Sequence, residues 1–122
     1  GAPGGHPDAA AGAKCAIVVT PLVRGRMPTV CERVVTVTTP GECVDVLVTD
    51  YGVSVNLLRP DLEAALGAAG IPLTGIEALK EEAYRIVGRP DKLQFEDRVV
   101  AVMEARDGTA LDVVYQIKPF AF

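Results

Sequence analysis

The chain has 122 residues, of which 49% are apolar and 5% aromatic, with no tryptophan. Such a length fits one domain with a single core, and the apolar fraction excludes a disordered chain. The net charge of −4 gives no basic footprint for nucleic acid. No apolar run approaches the roughly 20 residues of a membrane span, and no leader pattern opens the chain, so a cytoplasmic location is expected.

The chain opens with "GAPGGHPDAAAGAK", residues 1–14. Residues 8–11 suit one or two helical turns, stopped by Gly12. Gly4-Gly5 lets backbone pass close to a ligand with its N–H groups unshielded. If a helix starts here, those groups sit at its positive end, where an oxyanion or carboxylate is favoured. His6, the single histidine, lies within this turn. Glycine–proline clusters also mark loose chain ends, and local sequence leaves both readings open.

"CAIVVT" (15–20) is a continuous apolar run, which predicts a strand buried on both faces. Residues 21–28 are punctuated by proline and glycine and read as a loop. Arg24 and Arg26 on that loop suit a polycarboxylate or phosphate; two solvated arginines are the simpler reading. "TVCERVVTVTT" (29–39) is rich in β-branched residues and predicts a strand. Residues 38–42 read as a turn. Strands are expected at 43–50 and 53–56, joined by a turn at Tyr51-Gly52.

Two helices follow. Pro60 fits a first helical turn, and Leu62, Ala65, Leu66 and Ala69 make one apolar stripe, ended by Gly70. Thr74 and Glu77 have capping-box spacing. Ile76, Leu79, Ala83, Ile86 and Val87 form the expected buried face of the second helix, which Gly88 stops. Glu81 and Arg85 are spaced for an i,i+4 ion pair.

Residues 98–106 and 109–117 read as a hairpin around a two-residue Asp107-Gly108 turn. That register pairs Val102 with Val113 and Val100 with Tyr115. Val100, Val102, Leu111, Val113 and Tyr115 then form the face expected to be buried. The whole is one α/β domain over residues 1–122: a mixed sheet with flanking helices and a terminal β-hairpin at 97–118. Cys15, Cys31 and Cys43 form no Cys-x-x-Cys pair and lie in apolar runs, so reduced, buried thiols are expected, with no metal site.

"GGHPDAAAGAKCAIVVTPLVRGRMPTV" resembles the C-terminal half of citrate lyase alpha subunits, members of the coenzyme A transferase superfamily. The likeness continues through "VVTVTTPGECVDVLVTDYGVSVNLLRPDL", "EALKEEAYRIVGRP" and "DRVVAVMEARDGTALDVV", which is essentially the whole chain. It implies the C-terminal lobe of a coenzyme A transferase-like domain. It also implies an exchange of acetate for citrate on an acetyl-acyl carrier protein. The carrier's prosthetic group is a coenzyme A derivative, and no covalent cofactor is implied on this chain. A beta subunit then cleaves citryl-carrier to oxaloacetate and acetyl-carrier. The expected partners are that beta subunit and the acyl carrier protein (gamma subunit), with citrate and acetate as substrates.

By the same resemblance, Gly4 and Gly5 match an oxyanion turn, and His6 and Asp8 lie beside substrate. Arg24 and Arg26 become candidates for citrate carboxylates. Ala2 stands where many coenzyme A transferases have glycine. The family places its nucleophilic glutamate before this turn, and no glutamate of this chain stands in that place. The chain is therefore expected to lack transferase activity alone. Two other readings stand beside this one: a non-catalytic assembly module, and a relative that transfers another acyl group between coenzyme A thioesters.

Overall fold

The computed structural model describes residues 4–119; Ala2 lies outside them. Helix α1 (Gly5–Gly12) opens the fold and leads into strand β1 (Ile17–Val19). A tight hairpin follows, β2 (Val23–Arg24) and β3 (Met27–Pro28), turning through Gly25 at φ +61°. Residues 21–28 are thus not a plain loop. Each arm is too short to show a period of two, but a glycine in the left-handed region closes the turn.

Strands β4 (Val46–Thr49) and β5 (Gly52–Val55) complete a three-stranded sheet ordered β1-β4-β5. β1 runs parallel to β4, and β5 antiparallel, so the sheet is mixed. β1 is an edge strand. Ile17 and Val19 are 58% and 75% exposed, so the expected two-sided burial is absent from the described structure.

Residues 29–39 form no strand. Their backbone and hydroxyl groups bond elsewhere. The Val37 N–H donates to Asp112 Oδ2 at 2.9 Å, and the Thr36 hydroxyl donates to the Val113 carbonyl at 3.4 Å. β-Propensity reports a fit to a pleated surface and does not name the partner. A 3-10 turn, Gly41–Cys43, connects this segment to β4.

Helix α2 (Pro60–Ala68) starts with proline in its first turn, as expected. Its stripe is only half-buried, at Leu62 and Leu66, while Ala65 and Ala69 are exposed. Helix α3 (Ile76–Val87) buries Leu79 and Ala83 but leaves Ile76 and Ile86 exposed. Its N-cap is Gly75, with no side-chain cap. Thr74 is committed to the sheet instead. Its N–H donates to the Val53 carbonyl at 2.9 Å, and a Cβ on Gly52 would stand 2.7 Å from its methyl. Arg85 pairs with Glu82 rather than Glu81.

The core is small: Leu22, Val30, Leu79 and Ala83, with Val23 and Leu47 packed against it. It joins the β2–β3 hairpin and α3 to the sheet. Beside it, the buried Asp45 accepts the Ala16 N–H at 2.7 Å and Arg59 Nη1 at 2.8 Å. Arg59 also donates to the Lys14 carbonyl and to Asp61. The Ala16 N–H and then Arg59 hold the Asp45 carboxyl below its ordinary range. This clasp ties the start of β1 to β4 and to the start of α2.

The chain ends in a long hairpin, β6 (Phe95–Glu104) and β7 (Ala110–Ile117). Val102 pairs with Val113 as expected, but Tyr115 pairs with Val99, across a bulge, rather than with Val100. Its tip is not a two-residue turn. The Gly108 N–H donates to the Ala105 carbonyl, and the Ala105 N–H to the Thr109 carbonyl. The loop is therefore Arg106, Asp107 and Gly108, with Gly108 at φ +87°, a three-residue loop of the glycine-bulge kind. The face expected to be buried is so only in part: Leu111 and Val113 are half-buried, while Val100, Val102 and Tyr115 are each between 45% and 54% exposed. The cysteines also depart from expectation. All three are free, but Cys15 is exposed and Cys31 and Cys43 are half-buried.

Candidate functional site

Helix α1 begins at Gly4, its N-cap, with φ +104° and ψ −116°, a backbone geometry open to glycine and strained for other residues. The first turn leaves the N–H groups of the cap and the next three residues without helical partners. Pro7 has no N–H, and the Asp8 N–H donates to the Gly4 carbonyl at 3.3 Å. The donors at this helix end are therefore Gly4, Gly5 and His6. A Cβ added at Gly4 or Gly5 would meet no atom within 4 Å, so nothing within the described chain crowds the backbone there. The helix dipole favours negative charge at this end.

Two side chains fix this turn. His6 Nδ1 shares a hydrogen bond of 2.9 Å with Thr39 Oγ1. Asp8 Oδ2 accepts from Arg106 Nε at 3.0 Å and also from Arg106 Nη2. That guanidinium holds the Asp8 carboxyl below its ordinary range. The two anchors are themselves connected, because Thr36 and Val37, just before Thr39, bond to Val113 and Asp112 of the hairpin. Helix α1, segment 36–39 and the hairpin tip close a ring of contacts.

A groove of about 350 Å³ lies inside that ring, against Gly4 and Asp8, with Pro7, Ala11, Met103 and Leu111 among its apolar lining. A second concavity of about 250 Å³ lies on the other side of α1, where His6 faces Ala16, Ile17 and Val18. Among the described residues no group of three histidine, cysteine or carboxylate side chains could hold a metal ion, and no helix is long and apolar enough to cross a membrane.

The family profile described as "Citrate lyase, alpha subunit (CitF)" matches residues 1–117. The chain belongs to the citrate lyase alpha subunit family. It is 58% identical over 118 residues to the citrate lyase alpha chain of Haemophilus influenzae, covering 97% of this chain and 24% of that relative. The Klebsiella pneumoniae alpha chain is 54% identical, with 97% of this chain and 23% of the relative covered. The chain thus spans about a quarter of the length of the curated relatives it matches. A crystal structure described as the alpha subunit of citrate lyase from Streptococcus mutans, in complex with citrate, is 48% identical. Its TM-score is 0.89, over 94% of this chain and 22% of that one.

Of the six site residues expected in this chain, the fold brings four together: Gly4, Gly5, His6 and Asp8, all in the first turns of α1. Arg24 and Arg26 are exposed on the β2–β3 hairpin and line neither concavity. The sequence reading singles out neither Thr39 nor Arg106. Thr39 sits in a segment that reads as a turn, and Arg106 meets a residue 98 positions away. No local signal marks either contact.

Proposed function

We propose that this chain forms one wall of the acyl-exchange site of a citrate lyase alpha subunit. The reaction exchanges acetate for citrate on the thioester of an acyl carrier protein, giving citryl-carrier and free acetate. The observation that carries the reading is the first turn of α1. Its first N–H groups, at Gly4, Gly5 and His6, take no helical partner, and space is open beside Gly4 and Gly5, in a chain of this family.

Each acyl transfer passes through a tetrahedral carbon whose oxygen takes negative charge. Donors fixed in advance stabilise that oxygen without reorganising, and losing one such donor typically costs about 10²–10³ in rate. Gly4 and Gly5 let the oxygen approach the backbone. Thr39 holds His6 so that the turn keeps its shape. The apolar side of the groove suits the uncharged arm that carries the carrier's thioester, the coenzyme A-derived group. Arg24 and Arg26 are proposed as contacts for citrate carboxylates.

The attacking glutamate belongs to the part of the subunit that resemblance places before the glycine turn. The 122-residue chain alone is accordingly proposed to be inactive. Exchange is assayed with acetyl-carrier and citrate, using this chain alone and within the full-length alpha subunit. Exchange by the full subunit only supports the reading; robust exchange by the chain alone overturns it.

A second reading, a non-catalytic assembly surface, is favoured by the terminal hairpin. Val99, Val100 and Val102 are 46%, 54% and 50% exposed on a two-stranded ribbon, a motif that rarely stands alone in water. The beta subunit and the acyl carrier protein are the proposed partners. Capture of either by this chain, without any response of Gly5 or His6 amides to citrate, favours that reading.

A further inference from the structure

The groove beside Gly4 has an unbalanced charge problem. Two carboxylates, Asp8 and Glu104, line it, and Arg106 is its single cation among the described residues. Asp8 stands in the first turns of α1, so its charge competes with any anion that approaches the same helix end. Like charges at such range repel, and the repulsion grows as water is excluded.

Arg106 answers that charge directly. Its Nε and Nη2 both donate to Asp8 Oδ2. The hairpin tip that carries it is held in advance. The Thr109 N–H donates to Asp107 Oδ1 at 2.9 Å, and the Ala105 N–H donates to the Thr109 carbonyl at 2.8 Å. The pair is open to solvent, with side-chain exposures of 83% for Arg106 and 35% for Asp8. Ion pairs this exposed add little to stability, so its consequence lies in the local field.

We propose that Arg106 is a positioning residue for acyl exchange, cancelling the Asp8 charge so that the α1 N-terminus accepts developing negative charge. The inference rests on the function proposed above. It assigns Arg106 no contact with substrate; its effect passes through Asp8.

The test uses the full-length alpha subunit containing this chain, with acetyl-carrier and citrate, and three variants: R106A, R106K and D8N/R106A. R106A lowers kcat by about tenfold or more, with a smaller change in KM for the acetyl-carrier. The loss deepens at low ionic strength, where screening is weakest. R106K retains most of the activity. D8N/R106A is more active than R106A, because the uncompensated charge is gone, whatever Asp8 itself contributes beside substrate. A purely structural strut predicts the opposite, a double variant as impaired as R106A, and that result overturns the proposal. Full activity of R106A overturns it too.

A second readout separates this inference from the function itself. Citrate titrated into the same proteins shifts the Gly5 and His6 amide resonances at lower concentration in wild type than in R106A, and at lower concentration in D8N/R106A than in R106A. If wild type shows no exchange, the functional reading fails, while this titration still decides the role of Arg106. Equal amide responses in wild type and R106A contradict it.

Discussion

His6 Nδ1 and Thr39 Oγ1 lie 2.9 Å apart although 33 residues separate them. The contact locks the first turn of α1 to a segment that is itself bonded to the terminal hairpin through Val37 and Asp112. Three stretches far apart in sequence therefore share one local geometry. Thr39→Val removes the hydroxyl and keeps the shape, while Thr39→Ser keeps the hydroxyl. A single exposed hydrogen bond contributes about 1 kcal/mol or less, so thermal melting changes little in either variant. The expected difference is in the His6 ring: its proton and nitrogen resonances move in Thr39→Val and stay near wild type in Thr39→Ser.

Leu22 is fully buried at the centre of the small core, against Val30, Leu79 and Ala83. Leu22→Ala removes a buried side chain and leaves a cavity, at a cost of about 2–5 kcal/mol. Ile86, equally apolar but 40% exposed at the back of α3, is the control. Ile86→Thr is expected within about 1 kcal/mol of wild type. Chemical denaturation of the two variants checks the contrast, and equal losses would mean that the core is misplaced.

Asp45 links the chain's acid response to its fold. The Ala16 N–H and Arg59 hold its carboxyl below the ordinary aspartate value, about 3.9 in an unfolded chain. The charged form is thus favoured by folding. Its stabilisation is present above the unfolded value and is lost as pH falls through the lower, folded one. Asp45→Asn therefore melts below wild type at neutral pH, and the two melting curves draw together in acid. Asp8, lowered by Arg106, follows the same sign, so its pairing with Arg106 is lost as pH falls through that lowered value. Amide exchange of α1 against pH reads this directly.

Much of the fold was legible because it depends on local pattern. The centre of the strand expected at 43–50 and the glycine stop of α3 follow from local pattern; β4 itself is shorter, Val46–Thr49, because Gly41–Cys43 form a 3-10 turn. The Val102–Val113 pairing holds although the turn has three residues, because a register shift between Met103 and Glu104 absorbs the extra one. What was not legible depends on distant partners. Residues 29–39 have the composition of a strand, yet the Val37 N–H is taken by the Asp112 carboxylate. Thr74 has capping spacing, yet its N–H bonds Val53 and its methyl packs on Gly52. In the candidate site the glycine turn shows in the sequence, because Gly4 needs a backbone that side chains disfavour. Arg106 does not show, since its partner Asp8 lies 98 positions away.

Arg24 and Arg26 sit on a β-hairpin away from the groove. If they hold citrate carboxylates in the assembled subunit, R24A/R26A raises the citrate KM by about tenfold or more, as charge-assisted contacts are lost. The KM for acetyl-carrier stays near wild type. Unchanged citrate dependence removes both residues from the site. Melting temperature serves as the folding control, and exposed arginines without ion pairs among the described residues leave it near wild type.

The most direct test of the glycine turn is Gly5→Ala in the full-length alpha subunit. Gly5 has ordinary helical backbone and no atom within 4 Å of the new methyl, so the fold tolerates the change and α1 gains helix propensity. In the proposed site the methyl would occupy the space through which the reacting oxygen approaches the backbone. Acetyl-carrier:citrate exchange is predicted to fall by about 10²-fold, the scale of a lost oxyanion donor, with melting temperature at or above wild type. Unchanged kcat in a stably folded Gly5→Ala subunit contradicts the account.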